Sequence, residues 1–197
     1  FKLGGVRIGA GTGNMGAASW GGGSGLGGDA PLMNTPGFNS RATAQMVFKA
    51  LLRVRPDLPV DQLHARDLAG DFDAGRNWGE FPTEKVEGKK LVVIGYGNIG
   101  REVALIARIF GMRVTVFARP KHRPAIEKDG FEFESSLIEA AHGADVISVH
   151  TGLGALDSTN GRFDNDGLID ETVMSAMNHN SVLINFDRGD FVASLAL

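Results

Sequence analysis

Residues 89–120 read KKLVVIGYGNIGREVALIARIFGMRVTVFARP, and they constrain the fold more than any other part of the chain. The apolar run 91–94 meets Gly95, Gly97 and Gly100 in a G-x-G-x-x-G spacing; an amphipathic segment follows, then a second β-branched run over 114–117. Strand, glycine turn, helix and strand in that order make a βαβ unit. In such a unit Gly95 permits the tight turn, Gly97 lets the backbone approach a pyrophosphate, and Gly100 lets the helix pack closely on the strand. The pyrophosphate would sit at the helix N-terminus, over Asn98 and Ile99, where unpaired N–H groups and the macrodipole favour anions. The alternative is a glycine turn that holds no ligand.

The end of the second strand bears on which dinucleotide is bound. An acidic residue about 20 positions after the first glycine accepts from the ribose 2′-hydroxyl of NAD. Here that place is taken by Ala118, followed by Arg119, with Lys121, His122 and Arg123 close behind. A carboxylate would repel a 2′-phosphate, whereas a guanidinium grips one with two parallel hydrogen bonds. NADP is therefore the expected cofactor, with NAD as the alternative if these basic groups merely form a solvated helix start.

The remaining composition excludes more than it assigns. With 197 residues, 43% of them hydrophobic, the chain is about one ordinary domain with material for a core. A net charge of −3 gives no polyelectrolyte field directed at nucleic acid or an anionic membrane. The absence of cysteine rules out disulfides and thiolate catalysis and fits a cytoplasmic setting. No run approaches the ~20 apolar residues of a membrane span, and the start FKLGGVRIGA is not a signal peptide. The chain begins on Phe1 and ends in an apolar run that looks like the opening of a helix, so a piece of a longer protein is expected.

Residues 3–8 read as a strand end, and the glycine-dense stretch 9–31 as a loop, since no strand and helix frame its G-x-G spacings. Ser40 is a plausible N-cap for a helix running to Val54. A second helix is expected over 59–68 and an irregular link over 71–84. From Lys89 the pattern predicts strands at 90–94, 113–117, 131–133, 144–149 and 181–185. It predicts helices at 98–110, 122–129, 135–141, 170–177 and from just after Asp190. Alternating units with buried apolar strands mean α/β, a doubly wound parallel sheet. Functional groups in such sheets gather at the carboxyl ends of the strands. That rule selects residues 95–100, 118–119, 150–154 and 186–189.

With those strand ends in hand, the chain resembles the D-isomer-specific 2-hydroxyacid dehydrogenases. The resemblance rests on GAGTGNM (9–15), NTPGFNSRATAQ (34–45), GRNW (75–78), GKKLVVIGYGNIGREVA (88–104), FGMRV (110–114), ADVISVH (144–150) and MNHNSVLINFDRGDFV (177–192). It implies a Rossmann NAD(P)-binding domain over 41–197, cut short at its C-terminus. It also implies a remnant of a flavodoxin-like catalytic domain and a glycine-rich crossing over 1–40. The implied activity is reduction of a small 2-keto acid, or oxidation of a D-2-hydroxy acid, with a nicotinamide cofactor. A homodimer formed through the nucleotide domains is implied as well, with Trp78 and Phe81 as either core residues or subunit contacts.

There are departures from the family pattern. Gly13 stands where the family often has Asp. Ala118 and Arg119 replace an acidic-Pro pair and resemble the NADP-using glyoxylate and hydroxypyruvate reductase branch. Residues 151–154 read Thr-Gly-Leu-Gly in place of Val-Pro-Leu-Thr, followed by a longer loop, ALDSTNGRFDND, and Asp187 stands where a small residue is usual. The resemblance assigns Arg188 as the catalytic cation, to bind the substrate carboxylate and polarise the carbonyl; a salt bridge to Asp187 or Asp190 is the alternative. The family's Glu and His are expected beyond Leu197, and its carboxylate-binding loop before Phe1. His150 is then not the proton donor. It belongs with Thr151, Gly152, Phe186 and Asp187 among the cofactor-contacting loops. His64, His142 and His179 are expected to be solvated and form no metal set. A dinucleotide-sensing or corepressor-like module with little catalysis is the competing class: Arg188 favours the enzyme, and the changed 151–154 motif and Asp187 favour the module.

Overall fold

The computed structural model describes residues 7–8, 32–33, 35, 37–56, 59–71, 73, 78–81, 83–152 and 154–194. The chain divides into two compact units, Phe1–Thr43 and Ala44–Leu197. In the first, β1 (Arg7–Ile8) pairs in parallel with β2 (Leu32–Met33). Of the strand end expected over 3–8, residues 7–8 are present as β1 and 3–6 lie outside the described residues, as does the glycine-rich stretch 9–31; β2 is an addition. Helix α1 (Ser40–Val54) starts on Ser40 itself, one residue earlier than a Ser40 cap implies, with the Asn39 carbonyl accepting from Thr43 N–H at 2.9 Å.

In the second unit α2 (Val60–Leu68) precedes a 3-10 turn, Trp78–Glu80, within the irregular link. Then come β3 (Lys90–Ile94), α3 (Asn98–Ile109), β4 (Arg113–Phe117), α4 (Arg123–Lys128), β5 (Glu132–Glu134), α5 (Leu137–Ala141) and β6 (Val146–Val149). A hairpin of β7 (Leu156–Asp157) and β8 (Arg162–Phe163) leads to α6 (Glu171–Ala176) and β9 (Val182–Asn185). Side-chain caps fix two helix starts: Ser136 accepts from Glu139 N–H and Asp170 from Val173 N–H.

Five strands form one parallel sheet in the order β5-β4-β3-β6-β9. Successive residues of β3 serve opposite faces, because side chains alternate across a strand. Leu91 and Val93 pack with Val47, Leu51, Val103 and Ala107 from α1 and α3. Val92 and Ile94 pack with Ala140, Val173 and Phe191 on the α5–α6 side. Both faces being covered explains the unbroken apolar runs and bears out the doubly wound expectation.

Two expectations need correction. The loop after residue 154 is a hairpin: Asp157 accepts from Thr159 and Asn160, and Gly161 closes the turn at φ +71. The helix expected to begin just after Asp190 is instead a 3-10 turn, Gly189–Phe191, followed by a parallel bridge from Val192 to Ile169. Burial of Phe191, fully enclosed on the α5–α6 side, outweighs helical propensity there.

Candidate functional site

All five strands are parallel, so residues 95, 118, 150 and 186 follow strand ends at one edge of the sheet. The chain runs outward from β3 to β5 and then returns to place β6 on the other side of β3. This reversal opens a crevice between the ends of β3 and β6, the place where open α/β sheets bind ligands.

The three glycines divide their tasks. Gly95 has φ +93, and its N–H donates to the Phe117 carbonyl at 2.8 Å. A Cβ there would strike the His150 carbonyl oxygen, and one on Gly100 would strike the carbonyl oxygen of Gly95. Gly97 differs from both. Its backbone is ordinary and extended, φ −85, and a Cβ would meet nothing within 4 Å. The protein's own packing therefore accounts for Gly95 and Gly100, while Gly97 keeps a space open in front of α3. No side chain caps that helix and its first turn holds no acidic residue, leaving the N–H groups of Asn98 and Ile99 facing an anion-favouring end. A pyrophosphate fits this cradle.

Beyond β4, Ala118 is buried at 8% exposure and Arg119 is exposed as the residue preceding the 3-10 turn Pro120–His122. The Arg119 guanidinium has no hydrogen-bond or ion-pair partner among the described residues. Arg123 is engaged: its Nε donates to Glu127 at 2.7 Å and it lies over the Phe133 ring. Burial, and then the charges of Lys121 and Arg119, hold His122 below its ordinary pKa, which leaves an uncharged imidazole beside two cations.

At the end of β6, His150 is 9% exposed, with Nε2 hydrogen-bonded to Ser148 Oγ at 2.7 Å. Burial lowers its pKa to about 4, so the ring is neutral near pH 7. Its backbone N–H donates to the Ile94 carbonyl at 2.7 Å, joining β6 to β3 directly beneath the glycine turn. Thr151 and Gly152 follow at the crevice. Asn165, from the loop after β8, clasps this stretch: Nδ2 donates to the Gly152 carbonyl at 3.0 Å and Oδ1 accepts from Gly154 N–H at 2.9 Å. Sequence reasoning missed Asn165, since nothing local marks a contact made across a hairpin.

Past β9, Phe186, Asp187 and Arg188 are exposed. Asn185 Nδ2 donates to the Arg188 carbonyl at 2.8 Å, and the Asp187 carboxylate accepts from the Arg188 backbone N–H at 3.1 Å. The Arg188 side chain makes no salt bridge among the described residues, with Asp187, Asp190 or any other acid. Asn185 also went unmarked, although an Asn closing a strand before a turn is an Asx-turn signal. His64, His142 and His179 are exposed, and the described residues contain no metal-holding group.

The family model described as "D-isomer specific 2-hydroxyacid dehydrogenase, NAD binding domain" matches residues 61–197. The chain belongs to this family. Among curated relatives of this dehydrogenase-family chain, a glyoxylate reductase from Thermococcus litoralis is 31% identical over 172 residues, covering 84% of this chain and 48% of the relative. A D-lactate/D-glycerate dehydrogenase from Pediococcus acidilactici is 30% identical, with 86% and 46% covered. A solved acyclic imino acid reductase, in complex with NADPH and D-Arg, superposes with a TM-score of 0.62 at 26% identity, with 84% and 48% covered. The chain spans about half the length of the curated relatives it matches. The matched NAD-binding domain and the open Gly97 cradle agree on a nicotinamide dinucleotide as ligand.

Proposed function

We propose that this chain is the cofactor-binding domain of an NADP-dependent oxidoreductase that reduces a small 2-keto acid, or oxidises the corresponding D-2-hydroxy acid. The observation that carries the reading is the pairing of the open Gly97 cradle with an unpartnered Arg119 beside Ala118, where a carboxylate would select NAD. NADPH in the related imino acid reductase supports the choice of phosphate form. When bound, the nicotinamide supplies or accepts the hydride. The first turn of α3 holds the pyrophosphate, Arg119 the 2′-phosphate, and Phe186 and Asp187 flank the crevice. Arg188, whose side chain makes no salt bridge among the described residues, holds the substrate carboxylate and polarises its carbonyl.

In this reading residues 41–197 are the nucleotide domain and 1–40 the end of a catalytic domain; the break between the compact units at Thr43 and Ala44 supports a boundary near there, and the NAD-binding family match covers 61–197. The exposed apolar side chains Met46, Leu52 and Val54 on α1 support a homodimer through this domain. The absence of cysteine supports a cytoplasmic setting. No nucleic acid or membrane partner is called for, and no helix among the described residues is long and apolar enough to cross a membrane. Asp187, an acid next to the proposed carboxylate-binding cation, favours the second reading, a dinucleotide-sensing module with little catalysis.

The test is direct. In the complete protein, Arg188→Ala should abolish most 2-keto acid reduction, and Arg188→Lys should restore only part, because a point charge does not reproduce the planar fork. Cofactor affinity should hold in both. Wild-type rates in Arg188→Ala would remove it from the mechanism, and a complete protein that binds NADPH but reduces no 2-keto acid would favour the sensing module.

A further inference from the structure

Tyr96, the residue between the first two glycines, is not used by the reading above. It is 6% exposed, its ring meets Phe131 edge-on at 6.3 Å, and its hydroxyl donates to Asp129 Oδ2 at 2.7 Å. Three side chains converge on Asp129. Arg101, in the first turn of α3, pairs with both carboxylate oxygens at 2.6 and 3.1 Å. Arg108, in the last turn, donates to the Asp129 carbonyl at 2.6 Å and lies over the Phe131 ring at 4.8 Å. Arg101 and Tyr96 hold the Asp129 carboxyl at about 2, so it is ionised throughout the neutral range.

Asp129 is also the C-cap of α4, and the other end of that helix adjoins the basic segment 119–123. Six helical residues, about 9 Å of rigid rod, separate the two. We infer that Tyr96 and Asp129 are positioning residues for the dinucleotide. Their hydrogen bond sets the glycine loop, which receives the pyrophosphate, at a fixed distance from the segment after β4, which receives the adenosine end. The inference rests on the cofactor assignment proposed above. A ligand that touches both anchors gains from their fixed spacing, because the free protein has already met the cost of ordering them. A ligand that touches one anchor gains nothing.

Tyr96→Phe isolates this effect. The ring stays packed on Phe131, and Asp129 stays neutralised by Arg101, so no buried charge is orphaned. NADPH should bind about 5- to 10-fold more weakly, the effect of one net hydrogen bond. Adenosine 2′-monophosphate, which engages only the segment after β4, should bind within about twofold of wild type. Asp129→Asn keeps an acceptor for one partner and should give the same pattern, with thermal unfolding confirming that both variants are folded. Unchanged NADPH affinity in Tyr96→Phe overturns the inference. So does an equal loss for NADPH and adenosine 2′-monophosphate, which would make the hydroxyl a general support of the fold. Failure of the wild-type protein to bind any nicotinamide dinucleotide would refute the cofactor assignment itself, before any variant is made.

Discussion

Replacing Gly97 by alanine should separate binding from folding. The residue is the N-cap of α3, where Ala is worse than Gly by up to about 1 kcal/mol. Against this, losing a glycine reduces unfolded-chain entropy by an amount worth about 0.4–1 kcal/mol. The new methyl would meet no atom within 4 Å, so packing adds nothing and net stability should change by less than about 1 kcal/mol. The same methyl would occupy the space through which the pyrophosphate reaches the α3 N–H groups, and NADPH affinity should fall by at least about tenfold, or 1.4 kcal/mol. Gly95→Ala makes the contrast. It forces a side chain to φ +93, costing about 1–2 kcal/mol, and drives a Cβ into the His150 backbone, costing about 1–3 kcal/mol more. That is enough to unfold a marginal domain. Thermal denaturation and cofactor titration of both variants form the assay. Wild-type NADPH affinity in a folded Gly97→Ala protein would show that the pyrophosphate does not lie over α3.

Two further outcomes follow from the same strand ends. Arg119→Ala should weaken NADPH by about one to two orders of magnitude, a charge-assisted contact being worth about 1.5–3 kcal/mol, and leave NADH nearly unchanged; Ala118→Asp combined with Arg119→Pro should reverse the preference. Competitive titration decides, and wild-type protein that binds NADH as tightly as NADPH would make Arg119 a bystander. His150 should make the fold acid-sensitive. Its pKa is held at about 4 by burial against an ordinary 6.5, so the unfolded chain takes up the proton first. Stability is then intact above pH 6.5, declines as pH falls towards 4 by up to about 3 kcal/mol, and levels off below. Urea unfolding at pH 7, 5.5 and 4.5 measures this, and His150→Gln should flatten the decline. An equal decline in wild type and variant would place the acid sensitivity elsewhere.

The sequence by itself determined the sheet and which strand ends form the candidate site. Strands covered on both faces are apolar along most of their length, so 90–94 and 113–117 could be read to the residue although Lys90, Arg113 and Thr115 interrupt the apolar runs. The glycine spacing points to a ligand at the N-terminus of α3 because a tight turn, an open approach and a close contact each require a missing Cβ. The pattern also gave each glycine its task, but not the atoms that impose it. Only the tertiary structure decided that Gly95 is crowded by His150, that Gly100 is crowded by the Gly95 carbonyl, and that Gly97 faces open space. It also decided the contacts of Asn165, Tyr96 and Asp129, whose partners lie 11 to 33 residues away in the chain. The same holds for the turn at Phe191, where burial against the α5–α6 side replaced the expected helix. Periodicity records which face of an element is buried. It carries no information about contacts between residues that only folding brings together.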